Sequence, residues 1–471
     1  MASITTENTT HQAWSLTNLA EWAQAQLIDV TGDADQRVCQ GISTDSRSTR
    51  PGDCYIAIKG ERFDGHAFIE QAIAQGAVAL LVSEPGNYTV PSLLVADTRI
   101  ALGLIARGHR QAQNLNSLIA VTGSNGKTTV KSLLAHILQT QAPTWATPGN
   151  LNNDFGVPRT LLQITAQHRY AVIEMGANHV GEIDYLTHLA QPDVALITLA
   201  AEAHLEGFGS LQGVIDTKGE IFNGLSDQGV GVINTDSPGF EQWCGKLATK
   251  KIITFGRSDQ ADIRVVGGQS TQKGISFELV VNGESHSVCM PIMGLHNAMN
   301  AAAACAACLA VGLSWSQIQP GLESFQGVAG RLQTYQSEQG LLIDDSYNAN
   351  PSSVKAAIDT LAALPGKTVL CLGAMAELGV DAKLAHAQIG IYARQKGVDY
   401  VFAYGKDTRA TLAAFNADQL QPLSHSEISD QVQLLIDTHQ PIDILVKGSR
   451  SAQMERVVEN LLERNQYARL S

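Results

Sequence analysis

No stretch of this sequence stays apolar long enough to cross a bilayer. The longest such run, Ala301 to Val311, falls short of the roughly 18 residues that a spanning helix needs. The first thirty residues are polar and lack the apolar core of a secretory leader, so a soluble, cytoplasmic protein without membrane insertion is expected. Cysteine is scarce: there are seven in 471 residues, an odd number with no framework spacing, and Cys305 and Cys308 fall inside the Ala-rich helical run Asn300 to Leu313. Reduced core thiols are expected, not disulfides or zinc ligands. Positive charge is in deficit. Lys and Arg number 32 against 45 Asp and Glu, a formal net charge of −13 without a long charge run. That excludes nucleic acid and anionic membranes as partners, and a phosphate ligand would need a locally built site. The G-x-G-x-x-G fingerprint is missing too, which argues against a dinucleotide-dependent dehydrogenase.

What is present fits an α/β protein of three domains. At about 100 to 200 residues per domain the length allows two to four, and strand and helix patterns fall into three blocks. Block 1–97 is a small α/β unit with short strands at Cys54 to Ile58, Val78 to Val82 and Leu93 to Val95 around a helix near Ala67 to Gln75. Block 98–329 opens with a helix from Thr98 to Gln113. Strands follow at Leu118 to Val121, Tyr170 to Glu174, Asp193 to Leu199, Gly229 to Asn234 and Lys251 to Phe255, spaced for a parallel sheet covered on both faces. Block 330–471 repeats the pattern from Leu341 to Asp344, through Thr368 to Leu372 and Asp399 to Ala403, to Asp443 to Val446, a separate doubly wound, Rossmann-like domain.

The strongest chemical signal is Gly123-Ser124-Asn125-Gly126-Lys127-Thr128-Thr129, between an apolar strand and a helix with Val130, Leu133, Leu134, Ile137 and Leu138 on one face. Glycines let backbone N–H groups wrap phosphates at a helix N-terminus, Lys127 reaches the β and γ phosphates, and the Thr128 hydroxyl holds Mg²⁺. Val121 stands where the longer phosphate-loop motif has Gly, so this is the short form. Glu174 and His204 follow the ends of strands on the same sheet edge, where a hard cation would want them. Lys218 falls in the apolar stripe of a helix spanning Leu211 to Leu225. Burial favours its neutral amine, which can add CO₂ to become a carbamate; a lysine snorkelling at the stripe's margin is the alternative. His296, Asn297 and Asn300 open the small-residue helix and suit an adenine edge, with Asn297 equally suited to a cap. Arg331 and Asp345 would face the nucleotide from the third block. Lys447-Gly448-Ser449-Arg450 reads either as a cationic nest for a carboxylate or as a plain strand-to-helix turn.

Taken together, the phosphate loop, Gly149-Asn150-Leu151-Asn152-Asn153, Glu174 to His179, Ala203 to Ser210, Lys218, Gly294 to Asn297 and Ala329-Gly330-Arg331 resemble the Mur ligases of bacterial peptidoglycan synthesis over essentially the whole chain. Asn348-Ala349-Asn350-Pro351, Met375 to Gly379 and Lys447 to Arg450 resemble the dipeptide-adding branch. The resemblance implies an ADP-forming ligase in the bacterial cytoplasm, acting as a monomer on UDP-N-acetylmuramoyl-tripeptide and D-alanyl-D-alanine. The first block would bind the UDP-sugar through Thr44, Asp45, Ser46 and Arg47, with Asn150, Asn152 and Asn153 on the muramyl peptide and Asn348, Lys447 and Arg450 on the substrate side of the third block. ATP and two Mg²⁺ ions are implied, one ion on Thr128 and Glu174, the other on His204 and carbamylated Lys218. Ala374 stands where the family has Asp, and Ala201 to Ala203 replaces an expected Asn. A third-amino-acid-adding or folylpolyglutamate-type ligase, and more distantly an ATP-driven switch protein, are the alternative readings.

Overall fold

The computed structural model describes residues 13–28, 37–60, 63–201, 205–271, 274–417, 421–439 and 441–469. The chain divides into two packed units, Ser117–Ala146 with Tyr170–Ser471, and Met1–Asn116 with Thr147–Arg169. No helix among the described residues is long and apolar enough to cross a membrane.

The larger unit holds two sheets. In the nine-stranded sheet, Ser117–Thr122 lies between Tyr170–Glu174 and Val194–Ile197, with Val230–Asn234 and Lys251–Gly256 beyond, all parallel. Every residue of the first four of these strands is buried, as expected for a parallel sheet covered on both faces. Register sets the functional edge. Glu174 pairs with Val121 and Ile197 with Thr122, so both neighbouring strands end beside the residue that enters the phosphate loop. Absent from the sequence reading are Ile263–Thr271, Gly274–Val281 and Glu284–Met290, an antiparallel extension of the same sheet. Their runs mix small, polar and apolar residues and carry no intervening helix among the described residues.

Beside the phosphate-loop helix Lys127–Gln139, and packed like it against this sheet, lies Asn297–Ala310, whose residues from Ala301 to Cys308 are all buried. Alanine side chains let its backbone approach closely where larger ones would hold it off. Cys305 and Cys308 are core thiols of this helix, whereas Cys289 is exposed and Cys244 half-buried, which corrects the expectation for those two. The expected helix from Leu211 is α-helical only to Gly219 and tightens to a 3₁₀ turn over Glu220–Gly224. Trp243 packs against its last turn: the indole N–H donates to the Ile215 carbonyl at 3.1 Å, and a Cβ on Gly219 would sit 2.9 Å from that nitrogen. In the six-stranded sheet, Tyr400–Tyr404, Lys367–Gly373, Ile442–Lys447 and Gly340–Asp345 are parallel, and register places Asp345 opposite Lys447.

The smaller unit carries a five-stranded sheet in the order Gln26–Ile28, Ser92–Leu94, Ala79–Val82, Asp53–Ile56, Gly41–Ser43. The helix expected near Ala67 begins as a 3₁₀ turn, Gly65–Phe68, and continues as Ile69–Ala74. Asp97 caps Thr98–Ala112 by accepting from the N–H groups of Arg99 and Ile100. That helix, read from sequence as the opening of the second block, packs in this unit against Leu16–Ala23 and Gly156–Leu161.

His109, fully buried on this helix, ties the unit's separate chain segments together. Its Nε2–H donates to the Ile164 carbonyl at 2.8 Å, and its Nδ1 accepts from the Trp14 indole at 3.0 Å. The bond from Trp14 requires an unprotonated Nδ1 and hence neutral imidazole, and burial lowers the pKa while the bond to Ile164 opposes that shift. The unfolded chain therefore takes up a proton first as pH falls, so the stability this group contributes is present above about 6.5 and is lost on acidification below it. His109→Ala should cost about 3 kcal/mol by leaving two buried polar groups unpaired. Thermal melts between neutral and mildly acidic pH should show a steeper acid loss in the wild type than in His109→Ala; parallel profiles would exclude the linkage.

Candidate active site

Two glycines and the neighbouring strand end set the shape of the phosphate loop. Gly123 (φ 144°) and Gly126 (φ 83°) take conformations that side chains disfavour, and a Cβ on Gly126 would lie 2.4 Å from Asn300 Oδ1. The strand end after Val194–Ile197 braces the loop. Ser124 N–H donates to the Leu199 carbonyl (2.7 Å), Ser124 Oγ to the Ala201 carbonyl (2.9 Å), and Thr198 Oγ1 to the Asn125 carbonyl (2.6 Å). Backbone N–H groups at the start of Lys127–Gln139 are left facing the space where an anion would sit.

Lys127 folds back on the loop, its Nζ donating to the Gly123 carbonyl at 2.7 Å. Desolvation lowers its pKa, Glu174 opposes that shift, and Arg331 adds to it. Thr128 Oγ1 donates to Glu174 Oε1 at 3.4 Å, so the structure brings together the pair expected to hold one metal ion. Lys131, one turn further along the helix, is also buried, with its pKa lowered by desolvation and opposed by Glu174. The sequence reading passed over it, although a lysine four residues after Lys127 among apolar positions was visible. Thr129 lines the adjoining cavity.

Lys218 is 2% exposed, with its ammonium 5.1 Å above the Phe208 ring. Desolvation first and the charge of Lys127 second push its pKa down to about 7, and no ion pair to it occurs among the described residues. A margin position for a snorkelling lysine is thereby overturned: the side chain is inside. His204 lies outside the described residues.

A cavity of about 290 Å³ adjoins the loop, lined on one side by Asn125, Gly126, Asn297 and Asn300 and on the other by Arg331, Asp345 and Lys447. Asn297 is not the helix cap. It is the first helical residue, its Nδ2 donates to the Met293 carbonyl at 2.7 Å, and Asn300 Nδ2 donates to Asn297 Oδ1 at 2.7 Å. His296, at the cap position without a side-chain capping bond, lines the same cavity; it keeps exposed surface, and partial desolvation by the surrounding protein lowers its pKa. Arg331 stacks 4.4 Å over the Tyr347 ring, and its buried Nε has no hydrogen-bond partner among the described residues. Asn234, Asp236 and Phe255 also line the cavity and were missed, being spread over two strand ends with no motif.

The nest reading of Lys447 fails on geometry. Its ammonium, 1% exposed, donates to Asp345 Oδ2 (2.5 Å) and the Asn348 carbonyl (2.9 Å), so it is committed within the fold and not presented to a carboxylate. Asn348 keeps its own Oδ1 on the Ala349 N–H at 2.9 Å. Arg450 is exposed and pairs with Glu455 at 2.9 Å.

In the smaller unit, Asp45 accepts from the Arg47 guanidinium (2.6 and 2.9 Å), which holds its carboxyl down to about 2, while Ser46 Oγ donates to Gln71 and Thr44 is half-buried beside them. Asn153 Oδ1 accepts from the Gly156 N–H at 2.8 Å; Asn150 is exposed and Asn152 half-buried.

Substituting Gly126 tests whether the loop's shape is needed. Gly126→Ala meets both a disfavoured φ and Asn300, a strain of about 1–3 kcal/mol. ATP affinity should fall at least about tenfold, read by calorimetry on a protein that still melts cooperatively; unchanged affinity would remove this loop from nucleotide binding.

Three family models cover the chain: Mur ligase family, catalytic domain, over residues 38–116; Mur ligase middle domain over 121–308; and Mur ligase, glutamate ligase domain, over 330–450. The UDP-N-acetylmuramoyl-tripeptide--D-alanyl-D-alanine ligase of Escherichia coli (strain K12) is 43% identical, covering 93% of this chain and 96% of that protein. The enzyme of the same name from Bacillus subtilis (strain 168) is 36% identical over 95% of this chain and 98% of its own length. Among solved structures, MurF from Acinetobacter baumannii superposes with a TM-score of 0.90 at 37% identity, covering 96% of this chain and 99% of that one. MurF ligase from Thermotoga maritima in complex with ADP gives 0.80 at 26%, covering 90% and 98%. With three domain models in order along the chain and relatives matched almost end to end, this protein belongs to the Mur ligase family.

Proposed function

We propose that this chain joins D-alanyl-D-alanine to UDP-N-acetylmuramoyl-tripeptide at the cost of ATP, the reaction named for its E. coli relative. The observation that carries the reading is a phosphate loop that shares one cavity with Arg331, carries the Thr128–Glu174 pair at the start of its helix, and has a Lys127 whose charge reaches buried Lys218. A carboxylate is a poor acyl donor. In this reading a tripeptide carboxylate oxygen attacks the γ-phosphorus and ADP leaves; the dipeptide amine then attacks the acyl carbon, loses a proton, and expels inorganic phosphate. Lys127, released from the Gly123 carbonyl, follows the charge on the transferring group, and Arg331 meets it from the other wall. Thr128 and Glu174 offer the oxygen donors that a hard cation prefers. Mg²⁺ bound there would offset phosphate charge during transfer. His204 and Lys218 are the proposed holders of a second ion. In the smaller unit, Thr44 to Arg47 and Asn150, Asn152 and Asn153 are proposed for the UDP-sugar and its peptide.

Lys218 fits a carbamate. Its amine is enclosed, without an ion pair among the described residues, and a pKa of about 7 leaves much of it neutral at physiological pH. Carbamate needs that neutral form, so it should increase as pH rises through about 7.

Phosphate release measured with each substrate omitted in turn tests the activity. Turnover should require both UDP-tripeptide and D-alanyl-D-alanine; release that ignores the dipeptide would sink the assignment. Lys127→Ala should lower kcat at least about 10²-fold with the fold intact. Lys218→Ala should lose most activity and regain part with a short carboxylate such as acetate, whereas Lys218→Arg, always cationic, should stay inactive. A ¹³C-bicarbonate carbamate resonance should be present in the wild type and missing from both variants; a fully active enzyme without that resonance would return Lys218 to a packing role.

A further inference from the structure

Three side chains join the phosphate loop to the first helix of the six-stranded-sheet domain in a closed hydrogen-bond ring. Asn125 Nδ2 donates to Ser352 Oγ (2.7 Å), Ser352 Oγ donates to Asn350 Oδ1 (3.0 Å), and Asn350 Nδ2 donates to Asn125 Oδ1 (2.7 Å). The direction of the ring is fixed from outside it. Asn350 is the N-cap of Pro351–Ala362, and its Oδ1 accepts from the Ser353 N–H at 2.9 Å, while its own N–H donates to Ser353 Oγ at 3.0 Å. An amide whose oxygen is held at the cap presents its nitrogen on the other side. Asn125 must then turn its oxygen to Asn350 and its nitrogen to Ser352, whose single proton is left for Asn350. Asn125 is anchored in turn through its carbonyl, which accepts from Thr198 Oγ1. The Asn350 amide cannot flip without breaking the cap bond to Ser353, and the loop backbone that carries Asn125 is held by Thr198.

The ring stands on the wall of the nucleotide cavity, where Asn125, Ser352 and Ser353 all contribute surface. That cavity needs both walls, because Asn297 and Asn300 come from one domain and Arg331 and Asp345 from the other. We propose that Asn350 and Ser352 are positioning residues that latch the C-terminal domain onto the phosphate loop, so that nucleotide affinity depends on a closed ring. The inference rests on the nucleotide reading of the cavity. A ligand gripped by both walls binds with an apparent affinity scaled by the fraction of molecules in which the walls already face each other. Opening the ring lowers that fraction without touching the ligand.

The test is ATP affinity measured by calorimetry, without peptides, on the wild type, Asn125→Ala, Ser352→Ala and the double variant. Ser352→Ala removes two of the ring's bonds and should weaken ATP about tenfold in the wild-type loop. In the Asn125→Ala background, where the ring is already open, it should weaken ATP less than about twofold. Equal weakening in both backgrounds would mean that Ser352 acts on the nucleotide or on its own helix, and would overturn the latch. No weakening, or tighter binding, in the wild-type loop would overturn it as well. Asn350→Ser provides an independent arm: serine retains the cap but is too short to reach Asn125, so it should melt like the wild type and still match Ser352→Ala in ATP affinity, and wild-type affinity in that variant would likewise overturn the proposal. Because binding is read without turnover, a wild-type protein that binds ATP but fails to ligate would count against the proposed activity and leave the ring test standing.

Discussion

Buried positive charge around one anion-binding loop is the constraint on which the rest of this structure depends. Lys127, Lys131 and Lys447 each feel the charge of Arg331, and Lys218 feels that of Lys127. Desolvation is the largest cause of lowered pKa for each of the four lysines. A fold gains nothing in stability from cations held so close together in a shielded place. It tolerates them because Glu174 and Asp345 sit among them, and because a polyphosphate ligand would complete the balance.

Two parallel sheets make that concentration possible. Strands that run the same way deliver their carboxyl ends to one edge, where chain direction changes and side chains can converge without covering the core. In the central sheet, register sets Glu174 beside Val121 and thus beside the loop; in the C-terminal sheet it sets Asp345 opposite Lys447. The same placement explains why Lys447 serves the scaffold. Opposite an aspartate and 1% exposed, it neutralises the carboxylate that accepts the Leu332 N–H, which fixes the chain beside Arg331.

Features written in contiguous residues were legible from sequence. The phosphate loop names its own strand, turn and helix, and Glu174 closes a strand whose limits match the apolar run. Lys218 could be found because its position in an apolar stripe conflicts with its charge. The ring of Asn125, Asn350 and Ser352 could not be found that way, because Asn125 lies 225 and 227 residues from the other two corners and each has an ordinary local role. Asn234, Asp236 and Phe255 escaped for the same reason: they share a cavity only after their strands pair. The antiparallel extension from Ile263 to Met290 was hidden by weak local patterning, and Lys447 was misread because the sequence shows a cation near glycine but not the aspartate across the sheet.

If shielded cations await a polyanion, filling the cavity must raise their affinity for protons. Calorimetric titration of ATP at about pH 8, where the nucleotide's own phosphate and ordinary histidines are already deprotonated, measures this directly when repeated in CO₂-free buffers of different ionisation enthalpy. Net proton uptake is expected, and it should shrink in Lys218→Ala, which lacks the amine that in the wild type moves up from a pKa of about 7. Zero uptake, or proton release, would contradict the account, because it would mean that the lysines around the loop are fully charged before the ligand arrives.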